Sequence, residues 1–294
     1  GRVAPSTAPM RTTAATPVPS TPATAPTGPL VLVAEDNDVN QEVAQQLLEL
    51  RGYRVEIARD GKAAVAAACR DGAPYAAILM DCQMPELDGY TAARTIREHE
   101  AGTGRRRVPI IAVTAHAMSD DRQKVLDAGM DDYTTKPLSV EALDGLLTRW
   151  CPTTEAAATV APATEAPAAP AMAAVGDILD LAVLASLRKL QTPKRPNFFA
   201  HVVQTYLTGC DTHMGSMQRA LAESALDDLS AAAHTLKGSS RYMGAVHLAD
   251  LCERVEHLMQ DGRAAEAPAE VQAVTEEVER VKAALRGVLE RTEG

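Results

Sequence analysis

From Leu30 to about residue 150, short apolar runs alternate with stretches of helical periodicity. The runs at residues 30–34, 54–58, 76–80, 108–113 and 132–134 predict strands. Between and after them, residues 39–50, 62–70, 90–99, 121–127 and 140–148 carry helical patterns. Apolar strands alternating with helices mean βαβ units and a parallel sheet covered on both faces. After Gly176 the period is helical throughout. Phe199, Val203, Tyr206, Cys210, Met214, Met217 and Leu221 form one stripe, Leu248, Leu251, Val255 and Leu258 a second, and Val271, Val274, Val278, Val281, Leu285 and Val288 a third. With residues 178–190 and 225–243 they predict a four-helix bundle behind a shorter leading helix.

Two segments break these patterns. Residues 1–29 hold seven prolines among Ala and Thr, and residues 151–175 repeat that bias. Neither has the apolar bulk to offset chain entropy, so a disordered opening and a flexible linker are expected. The predicted domains are therefore residues 30–150 and 176–294. Both are acidic, with 14 Lys+Arg against 20 Asp+Glu in residues 29–150 and 13 against 17 in residues 176–294. Nucleic acid, which needs a basic face, is not an expected partner. The five cysteines are widely spaced and form no C-x-x-C pair, which indicates neither a disulfide framework nor a zinc site. No apolar run approaches bilayer length, so the expected location is cytoplasmic, with any membrane attachment supplied by an N-terminal part outside this sequence.

The doubly wound rule places a site at the carboxyl ends of the strands. Glu35 and Asp36 follow the first strand, Asp81 the third, Thr114 the fourth and Lys136 the fifth. In the flavodoxin-like order 2-1-3-4-5, strands one and three are neighbours, so the three carboxylates converge. Such a cluster suits a small hard cation such as Mg2+. Lys136 adds a positive charge and Thr114 a hydroxyl. Together these meet the needs of phosphoryl transfer, with Asp81 as nucleophile. Taken singly, an acidic residue after a strand is usually a turn or cap, and the weight lies in the combination.

The strings VLVAEDN, ILMDCQMPELDGY, VTAHAMS and YTTKPL resemble the receiver domain of two-component response regulators and hybrid histidine kinases. The resemblance implies that Asp36, Asp81 and the backbone carbonyl of Gln83 ligate Mg2+ directly, with Glu35 acting through water. It further implies that Thr114 and Tyr133 form a switch pair and that the Lys136-Pro137 bond is cis. Cys82 and His116 receive no catalytic role. A dehalogenase-type phosphatase would need D-x-D at the nucleophile strand, where this chain has Gln83.

In the helix at residues 225–243 the apolar stripe is Leu226, Leu229, Ala233, Leu236, Ser240 and Met243. His234 falls roughly 130° from its centre, facing out, with Lys237, Gly238 and Arg241 on its side. An exposed histidine is ordinarily without function. The string AHTLKGSSRYMGA, however, resembles the histidine phosphotransfer (HPt) domain of multistep phosphorelays. That resemblance implies a phosphoryl group carried on His234, its charge supported by Lys237, and a docking surface opened by Gly238 and flanked by Arg241. Nothing resembles an ATP site, so an upstream histidine kinase core is expected in a longer chain, with a downstream response regulator receiver as the later partner. The order receiver then HPt resembles the C-terminal part of hybrid sensor kinases. A flexible 25-residue linker spans about 25–30 Å, and the helix face of His234 is expected to dock transiently over the receiver's strand ends.

Overall fold

The computed structural model describes residues 28–114, 119–151 and 176–293. The expected opening segment up to residue 27, nearly all of the expected linker (residues 152–175) and His116 lie outside the described residues. Strands β1 (Leu30–Ala34), β2 (Arg54–Ala58), β3 (Tyr75–Asp81), β4 (Ile110–Thr114) and β5 (Asp132–Thr135) form one parallel sheet in the order β2-β1-β3-β4-β5. Helices α1 (Asp38–Glu49), α2 (Gly61–Cys69), α3 (Gly89–Thr103), α4 (Ser119–Asp127) and α5 (Val140–Trp150) connect and follow them. This is the expected doubly wound α/β fold. The fourth strand starts two residues later than its apolar run. Pro109 has no N–H to give, and the Val108 N–H donates to the Glu100 carboxylate at 2.8 Å instead of to a strand.

Alternation along the strands sorts the core into two halves. Val31, Val33, Ala77, Leu79, Ile111 and Val113 pack on the side of α1 and α5, whereas Leu32, Ala34, Ile78, Met80, Ile110 and Ala112 pack on the side of α2, α3 and α4. Local chemistry starts the helices. Asn37 caps α1 by accepting from the N–H groups of Val39 and Asn40, and Asp60, Asp88 and Ser139 cap α2, α3 and α5.

The C-terminal region is helical: α6 (Leu181–Lys189), α7 (Phe198–Glu223), α8 (Leu226–Tyr242), α9 (Val246–Gln260) and α10 (Ala267–Glu293). The last four form an antiparallel bundle whose three predicted stripes are buried, apart from Leu221 at the end of α7, which is half-buried. One stripe position departs further. Leu226 is 40% exposed because it opens α8, before the helix enters the bundle. The apolar core on the α1 side of the sheet continues without a break into the bundle, because α1 packs against α7 and α8.

Candidate functional site

Glu35 and Asp36 leave β1, and Asp81 is the last residue of the central strand β3. Oxygens of the three carboxylates lie within 4.8 Å of one another. Lys136 follows β5, where its N–H donates to the Thr114 carbonyl at 2.8 Å and its peptide bond to Pro137 is cis, as expected. Its ammonium lies 2.7 Å from Asp81 Oδ2 and 2.8 Å from Glu35 Oε2. Asn40, one turn into α1, donates to Glu35 Oε1 at 2.8 Å. The chain after Asp81 folds back closely: a Cβ on Gly89 would stand 2.0 Å from the Asp81 carbonyl oxygen, so this position requires glycine.

Burial and the charge of Glu35 push Asp36 up to about 6. Burial likewise raises Asp81, against the opposing pull of Lys136. Burial works against the Lys136 charge, but Asp81 and Glu35 outweigh it and hold the ammonium above its ordinary value. An oxygen-rich cluster with more negative charge than one lysine balances is a fitting seat for a hard cation. Glu35, already engaged by Lys136 and Asn40, is the least available of the three for direct ligation. Gln83 is exposed, and its N–H donates to Asp81 Oδ1 at 3.1 Å. Thr114 is buried at the end of β4, and Tyr133 is half-buried on β5, in register with Ala112.

His234 projects from α8 off the bundle core, yet its side chain is 20% exposed rather than free in solvent. The receiver-like sheet domain covers it: Asn37 Nδ2 donates to the Thr235 carbonyl at 2.9 Å, and a small pocket is lined jointly by Glu35, Asp36, Lys136, His234, Gly238 and Arg241. A Cβ at Gly238 would lie 3.5 Å from Asn40 Nδ2, so the glycine does sit at the contact between the domains. A more open cleft of about 720 Å³ runs from Asp36 and Gln83 past His234 to the far end of α9.

Lys237 corrects the expectation of a solvated face. Its side chain is 3% exposed and turns toward α9, where its ammonium lies 2.8 Å from Glu256 Oε2 and 3.7 Å from Glu253 Oε1. Arg241 lies 3.4 Å from both Glu253 oxygens. Glu256, which sequence reasoning passed over, also meets His234 Nδ1 at 3.2 Å. Its readable signal was a charge four residues after Cys252, on the buried stripe of α9. Asn37 and Asn40 were missed as well, because asparagine at a helix start reads as a cap before anything else.

The contacts between the two domains extend beyond the site. Gln46 Nε2 donates to the Leu190 carbonyl and the Leu138 N–H donates to the Tyr242 hydroxyl, both at 2.7 Å and both buried. At the edge, Glu42 meets His201 and Thr205, and Glu49 meets Arg195 at 3.0 Å.

Comparison with known proteins assigns both halves. Residues 31–148 match the response regulator receiver domain family and residues 201–284 match the Hpt domain family. The sensor protein GacS of Pseudomonas syringae pv. syringae is 33% identical over 233 residues, 79% of this chain and 25% of GacS. The signal transduction histidine-protein kinase BarA of Shigella flexneri is 31% identical over 234 residues, 79% of this chain and 24% of BarA. The chain thus spans about a quarter of the length of these two relatives. Among solved structures, the receiver domain of a Pseudomonas aeruginosa sensor histidine kinase, crystallised with magnesium in its active-site cleft, is 50% identical. The match covers 42% of this chain and 97% of that one, with a TM-score of 0.38. Among the described residues no helix is long and apolar enough to cross a membrane. The two family models together fit the architecture: the chain carries a response regulator receiver domain joined to an Hpt domain.

Proposed function

We propose that Asp81 receives a phosphoryl group from a histidine kinase in a Mg2+-dependent step and exchanges it with His234, which passes it to the receiver of a downstream regulator. The observation that carries this reading is the pocket shared by Glu35, Asp36, Lys136, His234 and Gly238. A histidine that shares one pocket with the acid cluster of a receiver has the proximity that phosphoryl exchange between them needs. Asp36 and Asp81, with the Gln83 carbonyl, would hold the Mg2+, and Glu35 would reach it through water. Bound there, the cation would neutralise charge on the phosphoryl oxygens. Lys136 holds the Asp81 carboxylate at 2.7 Å, in position to accept phosphate while countering its charge. Thr114 and Tyr133 fit a switch that reports the phosphorylated state, and Gly238 and Arg241 fit the docking face of the bundle.

The test uses acetyl phosphate as a small phosphodonor. With Mg2+ the chain is expected to gain an acid-stable, base-labile acyl phosphate, followed by acid-labile phosphate on histidine. Asp81→Asn is expected to abolish both, and His234→Gln the second alone. Normal labelling of the receiver domain in Asp81→Asn would falsify the assignment of the nucleophile.

A further inference from the structure

The helix that carries His234 touches the receiver domain again at its own last residue. Tyr242 stands about 12 Å further along α8 than His234, and its hydroxyl accepts from the Leu138 N–H at 2.7 Å. Both residues are buried. The contact falls directly behind the lysine of the site. The Lys136 N–H donates to the Thr114 carbonyl at 2.8 Å. Pro137 has no N–H to offer, so the next backbone donor in the chain is that of Leu138. The segment that carries Lys136 is thus tied at two points, to β4 at Lys136 itself and to the bundle at Leu138. Between these ties the Lys136 ammonium holds Asp81 Oδ2 at 2.7 Å and Glu35 Oε2 at 2.8 Å. Burial raises the Tyr242 hydroxyl, which keeps its proton, and the charges of Glu35, Lys136 and Asp81 also reach it.

We infer that Tyr242 is a positioning residue for exchange between Asp81 and His234, its hydroxyl tying the helix of His234 to the segment of Lys136 so that both keep one register while the phosphoryl group moves. The inference rests on the relay between Asp81 and His234. In that step a ring nitrogen of His234 bonds to phosphorus, the bond from phosphorus to the Asp81 oxygen breaks, and its electron pair returns to the carboxylate. The ring takes up the positive charge, and the restored carboxylate meets the Lys136 ammonium. A misplacement of about 1 Å can cost such a step about a hundredfold in rate. One hydrogen bond from α8 to the backbone two residues after Lys136 restrains both reacting sides together. The plainer role, holding the domains in contact, is shared by Gln46, which donates to the Leu190 carbonyl at 2.7 Å. Gln46 lies further along α1 than Asn40, away from the acid cluster, and so serves as the reference for docking alone.

The experiment phosphorylates His234 of the full chain with phosphoramidate in metal-free buffer, removes the donor, and adds Mg2+ to start movement of phosphate to Asp81. Rapid quenching gives the rate at which acid-labile phosphate becomes acid-stable, and solution scattering gives the fraction of molecules with the domains docked. A residue that only helps docking changes that fraction and leaves the rate per docked molecule alone. Gln46→Ala is expected to behave in this way. Tyr242→Phe, which removes the hydroxyl alone, is expected to be about fivefold slower per docked molecule, the scale of one net hydrogen bond, with an unchanged helical circular dichroism spectrum. In wild type the Leu138 amide is expected to exchange slowly with deuterium. Equal rates per docked molecule in Tyr242→Phe and Gln46→Ala, or exchange of the wild-type Leu138 amide as fast as a free amide, would overturn the inference and leave the relay standing. If no phosphate moves in wild type after Mg2+ is added, the relay reading itself is overturned, and the inference with it.

Discussion

At the scale of single residues the two halves of the site solve opposite charge problems. Around Asp81 there are three carboxylates and one lysine, so removing a carboxylate and removing the lysine carry opposite signs. Lys136→Met leaves Glu35 and Asp81 buried without a counter-ion, and breaking a buried pair this way costs about 3–5 kcal/mol. Asp81→Asn instead relieves repulsion while Lys136 keeps Glu35. In metal-free solution near neutral pH, the melting temperature is expected to fall by several degrees in the first variant and to hold or rise in the second. A fall in both would mean that Lys136, and not the crowding of acids, governs the cluster. Around Glu256 the balance is reversed, with one carboxylate between two potential cations. Its pKa is lowered from 4.5, so its ionisation stabilises the folded chain in full above that value and the contribution is lost as pH falls through the lower folded value. The stability gap between wild type and Glu256→Gln, followed by thermal unfolding, should therefore be constant near neutrality and close below about pH 4.5. A gap that widens on acidification would contradict the assignment.

At the scale of elements, how much was legible depended on how local the cause was. All five strands could be read because a sheet covered on both faces leaves nearly continuous apolar runs, and their polar ends named Glu35, Asp36, Asp81, Thr114 and Lys136. Strand order was not fixed by the connections alone, which suit more than one doubly wound sheet, and came with the flavodoxin-like pattern that the sheet then showed. The stripe of α8 placed His234 off the core, but nothing within α8 says that Lys237 turns toward α9 or that Glu256 waits there. That pairing depends on the relative rotation of two helices, which a one-dimensional pattern does not encode. Leu226 misled for a related reason, since periodicity continues to the end of a helix while packing does not. Gly238 shows where the two levels meet. Alanine there should strengthen α8 by up to about 1 kcal/mol, and its Cβ would make ordinary contact with Asn40 at 3.5 Å. Any longer branch must displace Asn40, which holds Glu35 at 2.8 Å. Gly238→Ala is thus expected to unfold at a slightly higher temperature with near-normal transfer between Asp81 and His234, and Gly238→Val to fold yet transfer much more slowly. Equal transfer rates in the two variants would show that the close approach at Gly238 does not matter.

At the scale of the whole molecule, the Hpt face that meets this receiver carries His234, so a second receiver seeking that histidine competes with the first. In the proposed relay, opening of the docked arrangement would then limit delivery, and the contacts between domains differ greatly in how strongly they resist it. The Arg195–Glu49 pair lies at the edge with both side chains about a third or more exposed, where an ion pair contributes about 0–1 kcal/mol. The Leu138 N–H and the Leu190 carbonyl are different, because each is buried against a single side-chain partner, Tyr242 or Gln46. Removing the partner strands that group in the docked state, while in the open state water can reach it. The full penalty of about 1–3 kcal/mol therefore falls on docking alone, a shift of roughly 5- to 150-fold toward the open form. Tyr242→Phe and Gln46→Ala are accordingly expected to enlarge the radius of gyration in solution scattering and to speed transfer from phosphorylated His234 to a receiver domain added in trans. Arg195→Ala should change both measurements little, and less still at high salt. The reverse ranking, with Arg195→Ala opening the molecule and Tyr242→Phe leaving it closed, would mean that edge electrostatics rather than the buried hydrogen bonds hold the two domains together.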